Sequence, residues 1–367
     1  MLHKIYSLLI SLAFSTTSFA QLDSIQDQST WRSFIVHLPS GYSSNNQYPL
    51  VVNLHGLNSN AAQQQNYSQF DLVSDTANFI VVYPNAIGGS WVINGTSDVD
   101  FITHLIDTIR SEFSCNSCLF ITGMSQGGFL TYKLACALNQ EIKAIAVVSG
   151  NMSQNLQNTC SILSDLPVMH FHGTTDPLVA YTGTIGIPPV ETTIDWWVNQ
   201  TNCNPTPQFT AIPDIVQSDS STVEKYYYAN GTTTSEVTFY KVVNGGHTWL
   251  GASPIPQFGN TNQDLDASSI IGDFFLQFCS SSLEINEHDE KTPISVYPNP
   301  FDHSFTIDLG NHTDGFIVLY DLFGRSVVTH PLVGSTTLQT IDLKKGIYMY
   351  RVISEDQFET TGKLIKE

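Results

Sequence analysis

Three short motifs hold residue types that together can perform acyl transfer. Gly123-Met124-Ser125-Gln126-Gly127-Gly128 sets a serine among glycines; a serine hydroxyl becomes a nucleophile when a neighbouring base takes its proton. His172-Gly173-Thr174-Thr175-Asp176-Pro177 supplies a carboxylate, and Asn244-Gly245-Gly246-His247-Thr248-Trp249 supplies an imidazole. In such a set Ser125 attacks, His247 takes and returns the proton, and Asp176 holds the imidazole tautomer and stabilises its charged form. The two glycines ahead of His247 would let a loop histidine swing towards the serine. Taken singly, each motif has a plain structural reading: a serine in a glycine turn, an aspartate capping a turn before Pro177, one structural histidine among eleven. Their weight comes from the elements that must position them.

Short, β-branched apolar runs at 50–54, 79–83, 119–122, 144–148 and 168–171 are bounded by Gly, Pro or Asn, which predicts strands covered on both faces. Between them Val99, Ile102, Leu105, Ile106, Ile109 and Phe113 share one helical stripe. Ser97, with Asp100 three residues on, reads as a capping box at its start. Residues 126–138 and 265–278 predict two further helices. Strand-helix alternation of this kind implies an α/β domain around a mostly parallel sheet over residues 21–280. Each candidate then follows a strand: Ser125 after 119–122, Asp176 after 168–171, His247 after 236–243. The order Ser, Asp, His is that of α/β-hydrolases, and differs from chymotrypsin and subtilisin. A serine on a tight strand-to-helix turn exposes Oγ at the sheet edge and aims a helix N-terminus at developing negative charge. His55-Gly56-Leu57-Asn58 follows 50–54, where this fold keeps its second oxyanion loop. The backbone N–H groups of Leu57 and Gln126 are therefore the expected oxyanion donors, with His55 propping the turn. Trp91 and Trp249, together with Met124, are expected to wall a cleft for an aromatic or apolar acyl group.

The chain has 367 residues, 14 Lys/Arg and 33 Asp/Glu, for a net charge of −19. Phosphate neutralisation needs a basic surface, so nucleic-acid binding is excluded. Residues 21–280 carry six Lys/Arg against twenty Asp/Glu, so the acidity belongs to the large domain; it favours solubility and disfavours polyanionic substrates. Lys4, the apolar run 5–14 and Ser18-Phe19-Ala20 predict a signal peptide over residues 1–20. That run is too short to span the hydrocarbon, and no other segment reaches the length of a membrane span. Six cysteines (115, 118, 136, 160, 203 and 279) in an oxidising compartment suggest disulfides, in any of 15 pairings. Cys115-x-x-Cys118 lies between a helix and a strand, so a structural loop or bridge is favoured over a redox pair. No second ligand pair at close spacing points to zinc, and the chemistry needs no cofactor. Residues 281–291 are serine-rich, then acidic, as in a solvated linker. Seven short alternating runs from 292 to 367 predict a small all-β sandwich.

The stretches LFITGMSQGGFLTYKLACAL, VMHFHGTTDPLVAY and GGHTWLG, with VYPNAIGGSW and SDVDFITHLID, resemble the secreted polyhydroxybutyrate depolymerase and feruloyl esterase type of α/β-hydrolase over about residues 30–280. The resemblance implies Ser125 as nucleophile, His247 as general base and Asp176 as its partner, acting on feruloyl, acetyl or polyester substrates. Leu250 stands where that family has a proline after Thr-Trp. The tail, with YPNP at 297–300, VLYDLFGR at 318–325 and the ending from 343, is similar to the C-terminal sorting domain of the Bacteroidota type IX secretion system. That implies the secretion machinery as a partner, and release from the cell or display on its surface. Expected alternatives are a peptidase of the same fold, a silent polymer-binding hydrolase-fold protein, and a carbohydrate-binding tail. A monomer is expected.

Overall fold

Apolar runs and the segments between them build one ten-stranded mixed sheet with helices on both faces, seen here in a computed structural model. It describes residues 21–163, 165–229, 235–279, 294–310, 314–320, 326–340, 343–354 and 359–366. The signal segment expected at 1–20 and the linker expected at 281–291 lie outside the described residues. In chain order the elements are β1 (Gln21–Asp27), β2 (Thr30–His37), β3 (Tyr48–Leu54), α1 (Ala61–Ser68), α2 (Phe70–Ala77), β4 (Ile80–Pro84), α3 (Ser97–Glu112), β5 (Cys115–Met124) and α4 (Gln126–Ala137). There follow β6 (Ile142–Val148), α5 (Gln154–Thr159), β7 (Val168–Gly173), α6 (Val190–Gln200), β8 (Gln208–Ala211), β9 (Thr222–Ala229), β10 (Glu236–Val243) and α7 (Ala267–Gln277).

The strand order is β1-β2-β4-β3-β5-β6-β7-β10-β9-β8. From β4 to β10 neighbours run parallel, and the outer strands on both sides are antiparallel. The central parallel strands are mostly apolar because both faces are covered. Leu50, Val52, Leu119 and Ile121 face the layer of α3, α4 and α6, whereas Val51, Phe120, Phe274 and Phe275 belong to the layer of α2 and α7. Strand β3 is followed by β4 on one side and by β5 on the other, so the topology reverses between β3 and β5. Ligands of such sheets bind at that point, beyond the strands' C-terminal ends. The outer strands β1, β2, β8 and β9 were not foreseen: β8 is exposed along its whole length and carries no buried-strand pattern.

Helix α3 covers the expected stripe except Phe113, which follows its last turn in an extended conformation, and the capping box is not formed. Ser97 is already helical, Thr96 precedes it at φ −102°, and no side chain caps the helix. Asp100 N instead donates to Thr96 O (2.8 Å), so the helix starts one residue earlier than the box requires; the neighbouring Asp98 accepts from Val92 N (2.6 Å) and from Arg32 Nη2 (2.7 Å), both inside the fold. Of the six cysteines, 118 bonds to 279 and 136 to 160, whereas Cys115 and Cys203 are free. Burial pushes the Cys115 thiol up to about 11, opposite to what a redox pair with Cys118 would need. The bridges close loops of 161 and 24 residues. Chain entropy then predicts that Cys118→Ser/Cys279→Ser costs up to about 5 kcal/mol, and Cys136→Ser/Cys160→Ser about 3 kcal/mol. Urea midpoints of the two variants should differ in that order; the reverse order would show that native-state contacts dominate.

The chain divides into two compact units, 1–280 and 281–367. In the second, β11 (Ser295–Tyr297), β12 (Ser304–Asp308), β13 (Asp314–Tyr320), β14 (Ser326–Val333), β15 (Ser335–Gln339), β16 (Gly346–Ser354) and β17 (Glu359–Lys366) form two antiparallel sheets, β11-β12-β15 and β14-β13-β16-β17. Phe305, Ile307 and Leu338 from one sheet share a core with Ile317, Leu319, Val352 and Leu364 from the other, the packing of a sandwich.

Candidate active site

Strand β5 ends at Met124 and α4 begins at Gln126, so Ser125 alone makes the turn, at φ 55° and ψ −122°. A non-glycine residue in such a conformation is strained by roughly 1–3 kcal/mol. Its N–H donates to Val148 O (2.9 Å), pinning the turn to β6. Glycines are needed on both sides for close approach. A β-carbon on Gly123 would lie 2.6 Å from the Gly127 carbonyl oxygen, and one on Gly127 would overlap the carbonyl oxygens of Leu54 and His55. Gly127→Ala is therefore expected to destabilise the protein by about 3 kcal/mol, read by urea denaturation. A loss under about 0.5 kcal/mol, the range of ordinary surface changes, would mean that the turn can widen.

The loop after β3 lies against this serine: a β-carbon on Gly56 would be 3.3 Å from Ser125 Cβ. His55 Nδ1 donates to Gly56 O (2.6 Å), and Nε2 accepts from Ala86 N (3.0 Å). A carbonyl only accepts and an amide N–H only donates, so this tautomer is forced. Burial lowers the His55 pKa and keeps the ring neutral. His55 thus props the turn, as expected. Gln126 opens α4, where backbone N–H groups have no intrahelical acceptor. The Leu57 N–H takes no backbone partner among the described residues.

The expected aromatic walls are not walls. Trp91 is 2% and Trp249 1% exposed, so neither offers surface to a cleft. The Trp91 indole N–H donates to His55 O (2.8 Å) and its ring lies 4.7 Å from the His55 ring. The Trp249 indole N–H donates to Ser268 Oγ (3.0 Å) on α7. Both indoles are used to fasten loops, because a buried Trp N–H needs an acceptor. Met124 is buried as well. A groove of about 300 Å³ lies on the outer face of α4, flanked by Ile93, Phe129, Lys133 and Leu156. Phe129 is one turn from Ser125, its N–H donating to Ser125 O (3.1 Å). Three side chains that the sequence reading left out hold the loop at its rim. Gln126 Oε1 accepts from Trp91 N (2.9 Å), Asp98 accepts from Val92 N, and Lys133 Nζ donates to Ile93 O (2.6 Å) and Gly95 O.

Gly173 ends β7 beside Val242 of β10, and the loops beyond these strands stay laced. Thr174 N donates to Val242 O (2.9 Å), Asn244 N to Thr174 Oγ1 (2.9 Å), and Thr175 donates from both N (3.0 Å) and Oγ1 (2.9 Å) to Gly245 O. Gly173 approaches the Gly245 and Gly246 carbonyls too closely for any β-carbon, and Gly246 lies as tightly on Phe258 O. The glycine pair therefore permits close packing, not the swing expected of it. His247 N is tied to Phe258 O (2.7 Å).

This lacing brings two of the candidates into direct contact. His247 Nδ1 donates to Asp176 Oδ2 (2.8 Å), with His247 3% and Asp176 7% exposed. Asp176 Oδ1 accepts from Leu178 N and Val179 N, both at 2.8 Å. Ser149, just beyond β6, links this pair to the serine turn. Its N–H donates to Phe171 O (2.9 Å) and its hydroxyl to Thr248 O (3.4 Å), while the preceding Val148 carbonyl holds Ser125 N. Ser125, Asp176 and His247 thus lie along one C-terminal edge of the parallel strands.

Two histidines on β7 to which the motifs assign no role, His170 and His172, are both fully buried. The alternation Val168-Met169-His170-Phe171-His172 carried the signal, since it sets polar rings at inward positions of a strand. Burial lowers the pKa of each; beyond it, the His172 ring lowers that of His170, and Asp176 partly opposes the lowering at His172. On unfolding each would take up a proton below the ordinary value of about 6.5. The unfolded state then binds more protons, so stability rises with pH and is lost as pH falls beneath that value, by up to about 1.4 kcal/mol per unit per histidine. Urea midpoints should accordingly drop between about pH 7.5 and about pH 5.5, whereas a flat profile would contradict two neutral buried rings.

Residues 96–186 match the phospholipase/carboxylesterase family, and residues 295–367 match the secretion system C-terminal sorting domain. Over 159 residues the chain is 30% identical to the bifunctional acetylxylan esterase/xylanase of Neocallimastix patriciarum, covering 42% of this chain and 23% of that protein. Over 162 residues it is 30% identical to the probable feruloyl esterase C of Aspergillus clavatus, covering 42% of this chain and 58% of that protein. It thus spans less than two thirds of the length of these curated relatives. The solved acetyl xylan esterase from Aspergillus awamori aligns over 65% of this chain and 96% of its own, at 18% identity and a TM-score of 0.49. The matched family segment includes Ser125 and Asp176 and ends before His247. By these matches residues 96–186 are similar to the phospholipase/carboxylesterase family, and residues 295–367 to the secretion system C-terminal sorting domain.

Proposed function

We propose that residues 21–280 form a serine carboxylic ester hydrolase, joined by a linker at 281–291 to a type IX sorting domain at 292–367. The observation that carries this reading is the buried His247–Asp176 pair on the same strand edge as the strained Ser125 turn. Ser125 Oγ attacks the ester carbonyl as its proton passes to His247 Nε2, and the Asp176 carboxylate stabilises the imidazolium. The Leu57 and Gln126 N–H groups hold the oxyanion, each contributing about 3 kcal/mol to the barrier's lowering. The intermediate collapses, the alcohol leaves with the proton from His247, and the acyl group stays on Ser125. Water then attacks that acyl group, giving its proton to His247, and the acid is released as Ser125 regains a proton. No cofactor enters any of these steps.

Feruloyl and acetyl esters of polysaccharides are the proposed substrates, supported by the feruloyl and acetylxylan esterases among the relatives above. The groove beside Phe129 would take part of the substrate. The expected signal peptide, the sorting domain and the disulfides support action outside the cell or at its surface; the chain is proposed to act as a monomer. The test is a panel on the full chain: methyl ferulate, acetylated xylan, polyhydroxybutyrate and casein. Release of ferulate or acetate supports the reading. Cleavage of casein alone would replace it with a peptidase, and a polyester preference would move the substrate class.

A further inference from the structure

We propose that Tyr132, His170 and His172 form a buried, directionally ordered hydrogen-bond relay that positions Asp176 against His247, tying the helix behind Ser125 to the loop that carries the acid. Its catalytic consequence rests on the ester-hydrolase reading; its proton arrangement does not.

The order of protons follows from one end. His172 Nε2 lies 2.8 Å from Val179 O, and a carbonyl only accepts, so this nitrogen carries the proton. A neutral ring then has a bare Nδ1, which faces His170 Nε2 at 3.2 Å. That nitrogen must donate, which leaves His170 Nδ1 bare to accept from the Tyr132 hydroxyl at 2.6 Å. The reversed order would set a lone pair against the Val179 carbonyl. A doubly protonated ring would place charge at a fully buried position, where the cost is high. Every donor thus points from α4 towards the acid loop.

The rings have little freedom to do otherwise. His170 and His172 are 3° from parallel with centroids 5.4 Å apart, Tyr132 stacks on His170 at 14°, and Trp197 of α6 covers Tyr132. Phe239 of β10 packs on His170, and the Tyr181 ring edge meets His172. The titratable groups facing the relay are Asp176, His247 and Tyr181, with the Val179 and Gly150 backbone as further partners of His172.

The relay ends on the residue that also fastens the carboxylate. Val179 O accepts from His172, and Val179 N donates to Asp176 Oδ1. His172 Nε2 stands 3.5 Å from Asp176 Oδ2, the oxygen that accepts His247 Nδ1. Both oxygens of Asp176 therefore depend on the loop that the relay holds. At the other end Tyr132 lies on α4, the helix that opens directly after Ser125. Loss of the relay would let the 176–179 loop shift, and small misplacements of catalytic groups are costly in rate.

The test reads protons first. Nitrogen-15 histidine spectra of the full chain should show His170 and His172 as neutral Nε2–H tautomers throughout the ordinary histidine range, about pH 5.5 to about pH 8. An Nδ1–H tautomer or a charged ring at either position overturns the relay. Tyr132→Phe keeps the ring stack and removes the far donor. It should shift the His170 signals, lower kcat roughly tenfold with KM within about twofold, and displace the acid limb of kcat. A lowered Tm with kcat and pH limb unchanged would show a merely structural tyrosine and overturn positioning. His172→Gln, which can still donate to Val179 O, should retain more activity than His172→Leu; equal losses count against the relay. Should the unaltered chain hydrolyse no ester, the ester-hydrolase reading fails, while the tautomer spectrum still decides the relay.

Discussion

Ser125→Ala should reduce hydrolysis of p-nitrophenyl butyrate by roughly 10⁵-fold or more, through kcat. Without the hydroxyl no acyl-enzyme can form, and only substrate binding and the oxyanion donors remain to accelerate attack by water. The fold should be untouched. Ser125 N is held by Val148 O, and the turn's shape comes from the glycines around it, neither of which involves Oγ. Alanine has the same difficulty as serine at φ 55°, so Tm should stay nearly constant. Ser125→Gly should instead raise Tm while abolishing activity, because glycine accepts a positive φ without strain. Retention of more than about a tenth of the activity in Ser125→Ala would remove this serine from the mechanism. Labelling by a fluorophosphonate probe, present in the unaltered chain and absent from both variants, separates loss of the nucleophile from loss of substrate binding.

Asp176→Asn is expected to lower kcat by about 10⁴-fold with little change in KM. The carboxylate has two tasks divided between its oxygens: Oδ1 receives the Leu178 and Val179 N–H groups, and Oδ2 receives His247 Nδ1–H. An asparagine keeps its oxygen on the two amides and so presents its NH₂ to His247. Imidazole must then turn a lone pair to that NH₂ and carry its proton on Nε2, the nitrogen that has to accept from Ser125. The same shape with the wrong tautomer isolates the proton arrangement from packing. A loss under about tenfold would show that another acceptor orients His247; His172, whose Nε2 is 3.5 Å from the same Asp176 oxygen, is itself a donor and cannot serve.

Much of the α/β domain was legible because its code is local. Buried parallel strands need apolar residues on both faces, so residues 79–83 or 144–148 announce themselves as short unbroken runs. The exposed edge strand β8 and its half-buried neighbour β9 did not, since strands not covered on both faces place no such demand on composition. The glycines around Ser125 pointed to a crowded turn, and the crowding is there. At Gly245 and Gly246 the same residue type was read as freedom and proved to be contact, a distinction that depends on Gly173 and Phe258, far away in the chain. Trp91 and Trp249 were misassigned for a related reason. Closeness in sequence to a motif does not say on which side of a loop an indole lies, and the available acceptors, His55 O and Ser268 Oγ, drew both inward.

From sequence alone came the order Ser125, Asp176 and His247, the strands that precede them, and the change to an all-β pattern after residue 291. Each of these is written in neighbours a few positions apart. Only the tertiary structure decided which cysteines pair, which aromatics are buried, and that His170 and His172 stand behind Asp176. Hydrogen-bond direction and burial belong to groups brought together from distant segments, and a tautomer has no meaning until the atoms on both sides of the ring are in place.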